Sequence, residues 1–382
     1  MANSPSFLRP PPSETPKLRN SETPKLRHPL LFLLSAFCFQ HLLPMIGIHN
    51  RPGNFSDRWI RTCEQQNIPF RRVNCLATDV VAQCQGLDSL LWHWDGCDPV
   101  NFLVARQIIT SLEASGLRVF PNVQTCWHYD DKVAQKYLLE AIAAPLIPTW
   151  VFLDREDAMR WIKAAIWPKV FKLRCGAGST NVRLVHSRNE ATSLCRQAFG
   201  RGFPAVASYL TDMQTRLRKT RSSREFWQRL ARAPRTLCNI LARQRLMHRE
   251  QGYLYMQEFM PGNTYDTRIT IIGNRAFGYR RMNRPNDFRA SGSGNPIYEP
   301  EGIDKRCVEI AFTVAAQLGT QSLAFDFLFN PQREPMIGEI SYCYVASMVH
   351  DCPGHWDRQG SWHPGHVWPE DVILDDMLAA CR

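Results

Sequence analysis

Two carboxylates in the stretch Leu323 to Ser341, LAFDFLFNPQREPMIGEIS, are spaced to meet across a turn. Side chains alternate about the pleat in LAFDFLF and again in MIGEIS, and the NPQREP segment between them holds two prolines and an Asn, the composition of a connecting loop. With the hairpin centred on Gln332 and Arg333, Asp326 and Glu339 become a direct cross-strand pair, their Cβ atoms roughly 5 Å apart. Like charges at that distance raise the pKa of one partner when no counter-ion is present. A hard dication, Mg²⁺ or Mn²⁺, relieves the repulsion. The competing reading leaves one carboxylate in solvent and the pair without meaning.

A second candidate is the segment KVFKLRCGAGSTNVRLV. No GxxxxGK[ST] is present, but Gly176, Gly178, Ser179 and Thr180 lie between two strands, where their backbone N–H groups are suited to fold over a polyphosphate as a flap. Lys172 ends the preceding strand within reach of such a phosphate, and Lys169 is expected one pleat earlier on the same face. A plain glycine-rich hairpin with solvated lysines is the alternative.

The elements that must carry these residues read as alternating strands and helices. MIGIH, PFRRVNC, LDSLLWHW and LRVFPN are strand candidates, with helices expected over Asp57 to Gln66 and Pro99 to Ser115, a pattern of βαβ units and a parallel sheet. Further helices are expected over Asp130 to Ala144 and Arg155 to Ala165, and strands over Pro168 to Leu173 and Asn181 to His186. The chain of 382 residues, 44% hydrophobic and 21% charged, is ordinary globular protein with room for two or three domains. Its 13 cysteines include no CxxC pair, which argues against a zinc ribbon, a thioredoxin-type site or a secreted disulfide framework and fits a cytoplasmic setting. Most of the net charge of +11 sits in residues 201–250, where twelve Lys or Arg face only Asp212, Glu225 and Glu250. Residues 1–44 stand apart: a tandem octapeptide, SETPKLRN and SETPKLRH, precedes an apolar run interrupted by Gln40 and His41, too short to span a bilayer. This leader is expected to be disordered or to reflect a start assigned ahead of Met45.

The order of motifs DDKVAQKYLLEA, PKVFKLRCGAGS, YMQEFMPG, YDTRITIIG, RRMNRPNDFRASGSG, LAFDFLF and IGEIS resembles the ATP-grasp superfamily, most closely its RimK-like carboxylate–amine ligases, from Met45 to about Leu378. The resemblance implies an α/β and α+β chain: a Rossmann-like pre-ATP-grasp domain over 45–125, ATP-grasp subdomain 1 over 126–200, the basic helical insertion 201–250, and subdomain 2 over 251–382. It implies ATP and Mg (or Mn) as cofactors. Lys132 and Lys172 would contact the phosphates, with Gly176, Gly178 and Ser179 closing over them. Gln257, Glu258 and Phe259 would take the adenosine, and Arg268 and Arg289 would lie near the γ-phosphate and an acyl phosphate. Asp326, Glu339 and Ser341 would be the metal ligands. Ser341 is a departure, since the family pattern has Asn there; the expectations are a second metal weakly held, or bound through water, or Asn283 or Asn295 as a substitute ligand.

The implied activity is an ATP-dependent ligase joining a carboxylate to an amine through an acyl phosphate, acting on a small-molecule, peptide or glycan acceptor. The alternative is a non-catalytic nucleotide-binding or docking module in polysaccharide or peptide modification. The insertion reads as a solvated helical pair or a dock for an acidic partner; with Phe226 and Trp227 almost its only aromatics, nucleic acid is disfavoured. No transmembrane span is expected and a homo-oligomer is left open. Two aromatic segments have open readings. WHWDGCDP, with Trp92, His93, Trp94 and Asp95, is either part of an acceptor site or packing. CPGHWDRQGSWHPGHVWPED, with His355, His363 and His366, is expected as an aromatic loop rather than a metal cluster.

Overall fold

A computed structural model describes residues 44–96, 99–176, 181–204, 249–292 and 294–381. The leader up to residue 43, Gly178 and Ser179, and residues 205–248 of the basic insertion lie outside the described residues. Three sheets organise the described chain. The first is parallel, in the order β2-β1-β3-β4, formed by β1 (Ile46–His49), β2 (Phe70–Val73), β3 (Ser89–Leu91) and β4 (Arg118–Phe120). Helices α1 (Ser56–Gln66), α2 (Val80–Gln83) and α3 (Pro99–Ala114) connect these strands. Ile46, Ile48, Leu90 and Leu91 are fully buried, as strands covered on both faces require.

After the short α4 (Val123–Cys126), helix α5 (Lys132–Ala141) begins later than the expected Asp130. The reason is local: the Asp131 side chain accepts from Ala134 N and caps the helix, while Asp130 has a left-handed backbone, φ 51°, that an α-helix excludes. The second sheet, antiparallel in the order β5-β8-β6-β7, comprises β5 (Thr149–Phe152), β6 (Lys169–Lys172), β7 (Val182–Val185) and β8 (Leu254–Glu258). Its core is shared with α6 (Arg155–Ala164) and α7 (Arg188–Ala198) through Ala158, Ile162, Ala191 and Leu194.

The third sheet runs β13-β12-β9-β10-β14-β15, with β11 beside β10. Its members are β9 (Tyr265–Ile272), β10 (Arg275–Met282), β11 (Pro296–Ile297), β12 (Ser322–Phe329), β13 (Pro335–Ser341), β14 (Gly354–Trp356) and β15 (Trp362–Pro364). Alternation divides its two faces. Ile269 and Ile271 of β9 and Phe325 and Phe327 of β12 join one core with Val308, Ala311, Phe312 and Ala315 of α8 (Lys305–Leu318), which leaves Asp266, Arg268 and Asp326 on the opposite face. The histidine-rich tail is not a loop: β14 and β15 pair with His355 opposite His363 and extend the sheet from β10. Helices α9 (Ala346–His350) and α10 (Pro369–Ala380) close the chain. Trp92 and Trp94 are buried in the core that runs from the first sheet into the third, so the WHW segment packs.

Candidate nucleotide and phosphate site

The β12–β13 hairpin does pair Asp326 with Glu339, though by a different route from the symmetric one. Its turn-proximal part pairs Phe327 with Ile337 and Phe329 with Pro335, and the register shifts between Asp326 and Phe327. Gly338 is the unpaired residue of this bulge. A β-bulge re-aims neighbouring side chains, and here it restores Glu339 to the position opposite Asp326.

Across the sheet this row continues from Glu339 through Asp326 to Arg268 on β9 and Tyr279 on β10. Arg268 grips Asp326 with two bonds, Nε to Oδ1 at 2.6 Å and Nη2 to Oδ2 at 2.8 Å. Arg281 adds a third contact, 2.7 Å to Oδ2, while its own Nε and Nη2 hold Asp266 at 2.8 and 2.5 Å. The expected repulsion within the carboxylate pair is therefore not what governs Asp326. Burial alone would raise its pKa, but the Arg268 and Arg281 guanidiniums outweigh burial and hold it well below the usual carboxylate range.

Glu339 faces the other way, 3.2 Å from the ammonium of Lys132, whose side chain is only 6% exposed. Burial would lower the Lys132 pKa; the Glu339 and Asp130 carboxylates reverse that and raise it. The same ammonium donates to the Gly176 carbonyl at 3.0 Å, and Asp130 Oδ1 accepts from Gly176 N at 2.8 Å. Burial pushes the Asp130 carboxyl up to about 6, against the pull of Lys132. The backbone at Lys132 donates to Arg174 O at 3.0 Å. The start of α5 thus stitches down the first residues of the glycine-rich segment. Gly176 has φ 129°, and a Cβ there would lie 2.4 Å from Asn181 Nδ2, so only glycine closes this stem.

Lys172 differs from the other cations. Its Nζ donates to the Gly338 carbonyl at 3.4 Å, and among the described residues no carboxylate lies within ion-pair distance of it. Burial lowers its pKa to about 8 despite the nearby Glu339 carboxylate. Lys169 is not on the same face as Lys172. The two are three residues apart on β6, an odd separation that turns them to opposite faces. Lys169 pairs with Glu258 at 2.9 Å and lies 5.8 Å from the Trp150 ring.

A cleft lies between the second and third sheets. It brings together Lys172, Gln257, Glu258, Phe259, Arg289, Asp326 and Glu339, with Val170, Met260, Phe288 and Leu328 as apolar wall. Phe259 and Phe288 meet edge to face, centroids 5.9 Å apart. Gln257 is buried, its Nε2 donating to Thr149 Oγ1 at 3.1 Å. Arg289 is tied to Asp287 at 2.6 Å. Lys132 and Gly176 stand one layer back, reached through Glu339, and Arg268 lies beneath Asp326. Ser341 shares the Glu339 face of β13 but is not in the cleft wall: its hydroxyl donates to Cys343 O at 3.1 Å and accepts from Cys343 N at 3.2 Å. Asn283 donates to Asn263 O at 2.8 Å and is not in the cleft wall.

For a divalent cation this donor set fits at one position only. Among the described residues Glu339 has one ion-pair partner, Lys132, and a side chain 34% exposed, whereas Asp326 already accepts three guanidinium contacts and the Ser341 hydroxyl is engaged by the Cys343 backbone.

Arg281 and Asp130 are among the residues that the sequence did not mark out. Arg281 had a readable signal: the two-residue turn Gly273–Asn274 pairs Ile272 with Arg275 and hence Asp266 with Arg281. Asp130 had none, since its partner Gly176 is 46 residues away.

No family model matches the sequence, and no curated protein matches it by sequence. Solved structures do match in shape. Biotin carboxylase from Campylobacter jejuni, as its β,γ-ATP complex, aligns over 87% of this chain and 71% of its own, with TM-score 0.54 and 13% identity. D-alanine–D-alanine ligase from Bacillus anthracis complexed with ATP aligns over 88% and 98%, with TM-score 0.53 and 11% identity. A RimK domain ATP-grasp protein from Sphaerobacter thermophilus aligns over 88% and 99%, with TM-score 0.50 and 13% identity. At such identities the likeness speaks to the fold.

Proposed function

With the ATP-grasp fold as premise, we propose that the chain is an ATP-dependent ligase joining a carboxylate to an amine, RimK-like in type. The observation that carries this reading is the convergence of Lys172 from β6, Glu339 from β13 and Arg289 from the loop after β10 on one cleft with an apolar wall. That combination suits a nucleotide: aromatic and aliphatic contacts for a base, and a cation without a carboxylate partner for phosphate.

In this reading Phe259, Phe288, Val170 and Leu328 enclose the base, the backbone after Gln257 reads its edge, and Glu258 receives the ribose. Lys172 takes a phosphate, and Lys132 joins it when its bond to Gly176 O is exchanged for a phosphate oxygen. Glu339 would hold a divalent cation, which supplies further neutralisation of phosphate charge when bound. The substrate carboxylate attacks the γ-phosphorus, giving an acyl phosphate and ADP. The amine then attacks the acyl carbon, forming the amide as the C–O bond breaks and inorganic phosphate leaves. Both steps gather negative oxygens, which Arg289 in the cleft wall would stabilise directly, with Arg268 acting only from beneath Asp326.

The test is ADP release by the full chain with ATP, Mg²⁺ and panels of carboxylates and amines. A ligase gives release that depends on a carboxylate, and hydroxylamine in place of the amine traps the acyl phosphate as a hydroxamate. Tight ATP binding with no carboxylate-dependent release across amino-acid, peptide and glycan acids would favour the non-catalytic module. The observation that favours that second reading is the engagement of Asp326 by Arg268 and Arg281.

A further inference from the structure

We infer that this chain carries its nucleotide with a single divalent cation, held through Glu339, because the Arg268–Arg281 guanidinium pair occupies Asp326 where a second ion would need it. The inference rests on the nucleotide-site reading above and goes beyond it by assigning Asp326 and Ser341 out of the metal sphere.

Four observations point the same way. Three guanidinium N–H groups, at 2.6, 2.7 and 2.8 Å, already bond the two Asp326 oxygens, and the Asp326 side chain is only 14% exposed. A dication brought to Oδ2 would sit against two buried guanidiniums, and Mg²⁺ tolerates little departure from octahedral oxygen geometry. Arg281 is not free to swing aside. The Gly273–Asn274 turn fixes it opposite Asp266, and leaving would break a buried pair held at 2.5 and 2.8 Å. Ser341, on the Glu339 face of β13, spends both its donor and an acceptor lone pair on Cys343. Among the described residues no group of three or more His, Cys, Asp or Glu is arranged to hold a metal.

The charges of Asp266, Arg268, Arg281 and Asp326 cancel within this cluster, so the positive charge left for phosphate would come from Lys172 and from an ion held at Glu339.

Manganese counts the ions directly. The full chain is equilibrated with the non-hydrolysable β,γ-imido analogue of ATP and Mn²⁺, free Mn²⁺ is read from its electron paramagnetic resonance signal, and bound nucleotide from its absorbance. One Mn²⁺ per bound nucleotide is expected; two, with nucleotide held, overturn the inference and leave the ligase reading standing. Failure to retain nucleotide at all overturns both. The Ser341→Asn variant separates the causes: it should still bind one Mn²⁺ because Asp326 stays occupied. A rise to two in that variant would show that the serine, not the arginine pair, limits the count, and would overturn the role given to Arg268 and Arg281.

Discussion

Lys172 and Glu339 behave oppositely toward charge, and each makes a distinct prediction. Glu339 neutralises the buried Lys132 ammonium at 3.2 Å, so Glu339→Gln should destabilise the ligand-free protein by about 1–2 kcal/mol, the range for losing a charge-assisted bond at a partly exposed site. This reverses the expectation from a repelling carboxylate pair, in which the amide would cost nothing. A lower melting temperature for the variant without nucleotide is the expected result. Lys172 titrates near pH 8 in the folded chain, below the value of about 10.4 for an unfolded lysine. The native state therefore binds fewer protons than the unfolded state between those values, and the ligand-free protein gains stability as pH rises through them. Nucleotide affinity should move the other way and fall above about pH 8, as the ammonium that meets phosphate is lost. Melting temperature and affinity measured from pH 7 to 10 should show both trends, and Lys172→Met should remove both.

Elements explain why part of this site was legible and part was not. A hairpin's register is local, so the Asp326 and Glu339 pairing could be read by counting outward from a turn, although the Gly338 bulge that completes it could not. Arg268 meets Asp326 through the pairing of β9 with β12, two residues 58 apart in sequence, and sequence periodicity has no access to that distance. The parallel first sheet and the β6–β7 hairpin around the glycine-rich segment were visible in alternation and apolar runs, whereas the tail strands β14 and β15 were hidden by their Gly, Pro and His content. The seam between α5 and the stem at Gly176 gives the element-scale prediction. Gly176→Ala meets Asn181 at 2.4 Å and an unfavourable φ of 129°, a strain of roughly 1–3 kcal/mol. It should lower the melting temperature and weaken ATP binding together; an unchanged affinity would show that the stem does not position Lys132.

At the scale of the whole molecule, the first and third sheets share one core. Trp94, Tyr129 and Tyr342 form an aromatic cluster, with centroids 5.1 Å apart for Trp94 and Tyr129 and 4.9 Å for Tyr129 and Tyr342, and Tyr342 Oη donates to the Trp94 carbonyl. Trp94→Ala should cost about 3–5 kcal/mol and lower the denaturant midpoint of both sheets in one transition. Among the described residues the cysteines are free thiols, and no helix is long and apolar enough to cross a membrane, so the core rather than disulfides holds these layers together. What the layers deliver is a cleft lined by one lysine that, among the described residues, has no carboxylate within ion-pair distance. Calorimetric titration of the full chain with the β,γ-imido analogue of ATP and Mg²⁺, wild type against Lys172→Ala, tests that claim most directly. The account predicts one nucleotide per chain and an affinity weaker by about tenfold or more in a variant that melts no lower than wild type, the scale of one charged hydrogen bond; no binding by the wild type, or equal affinity in both, would contradict it.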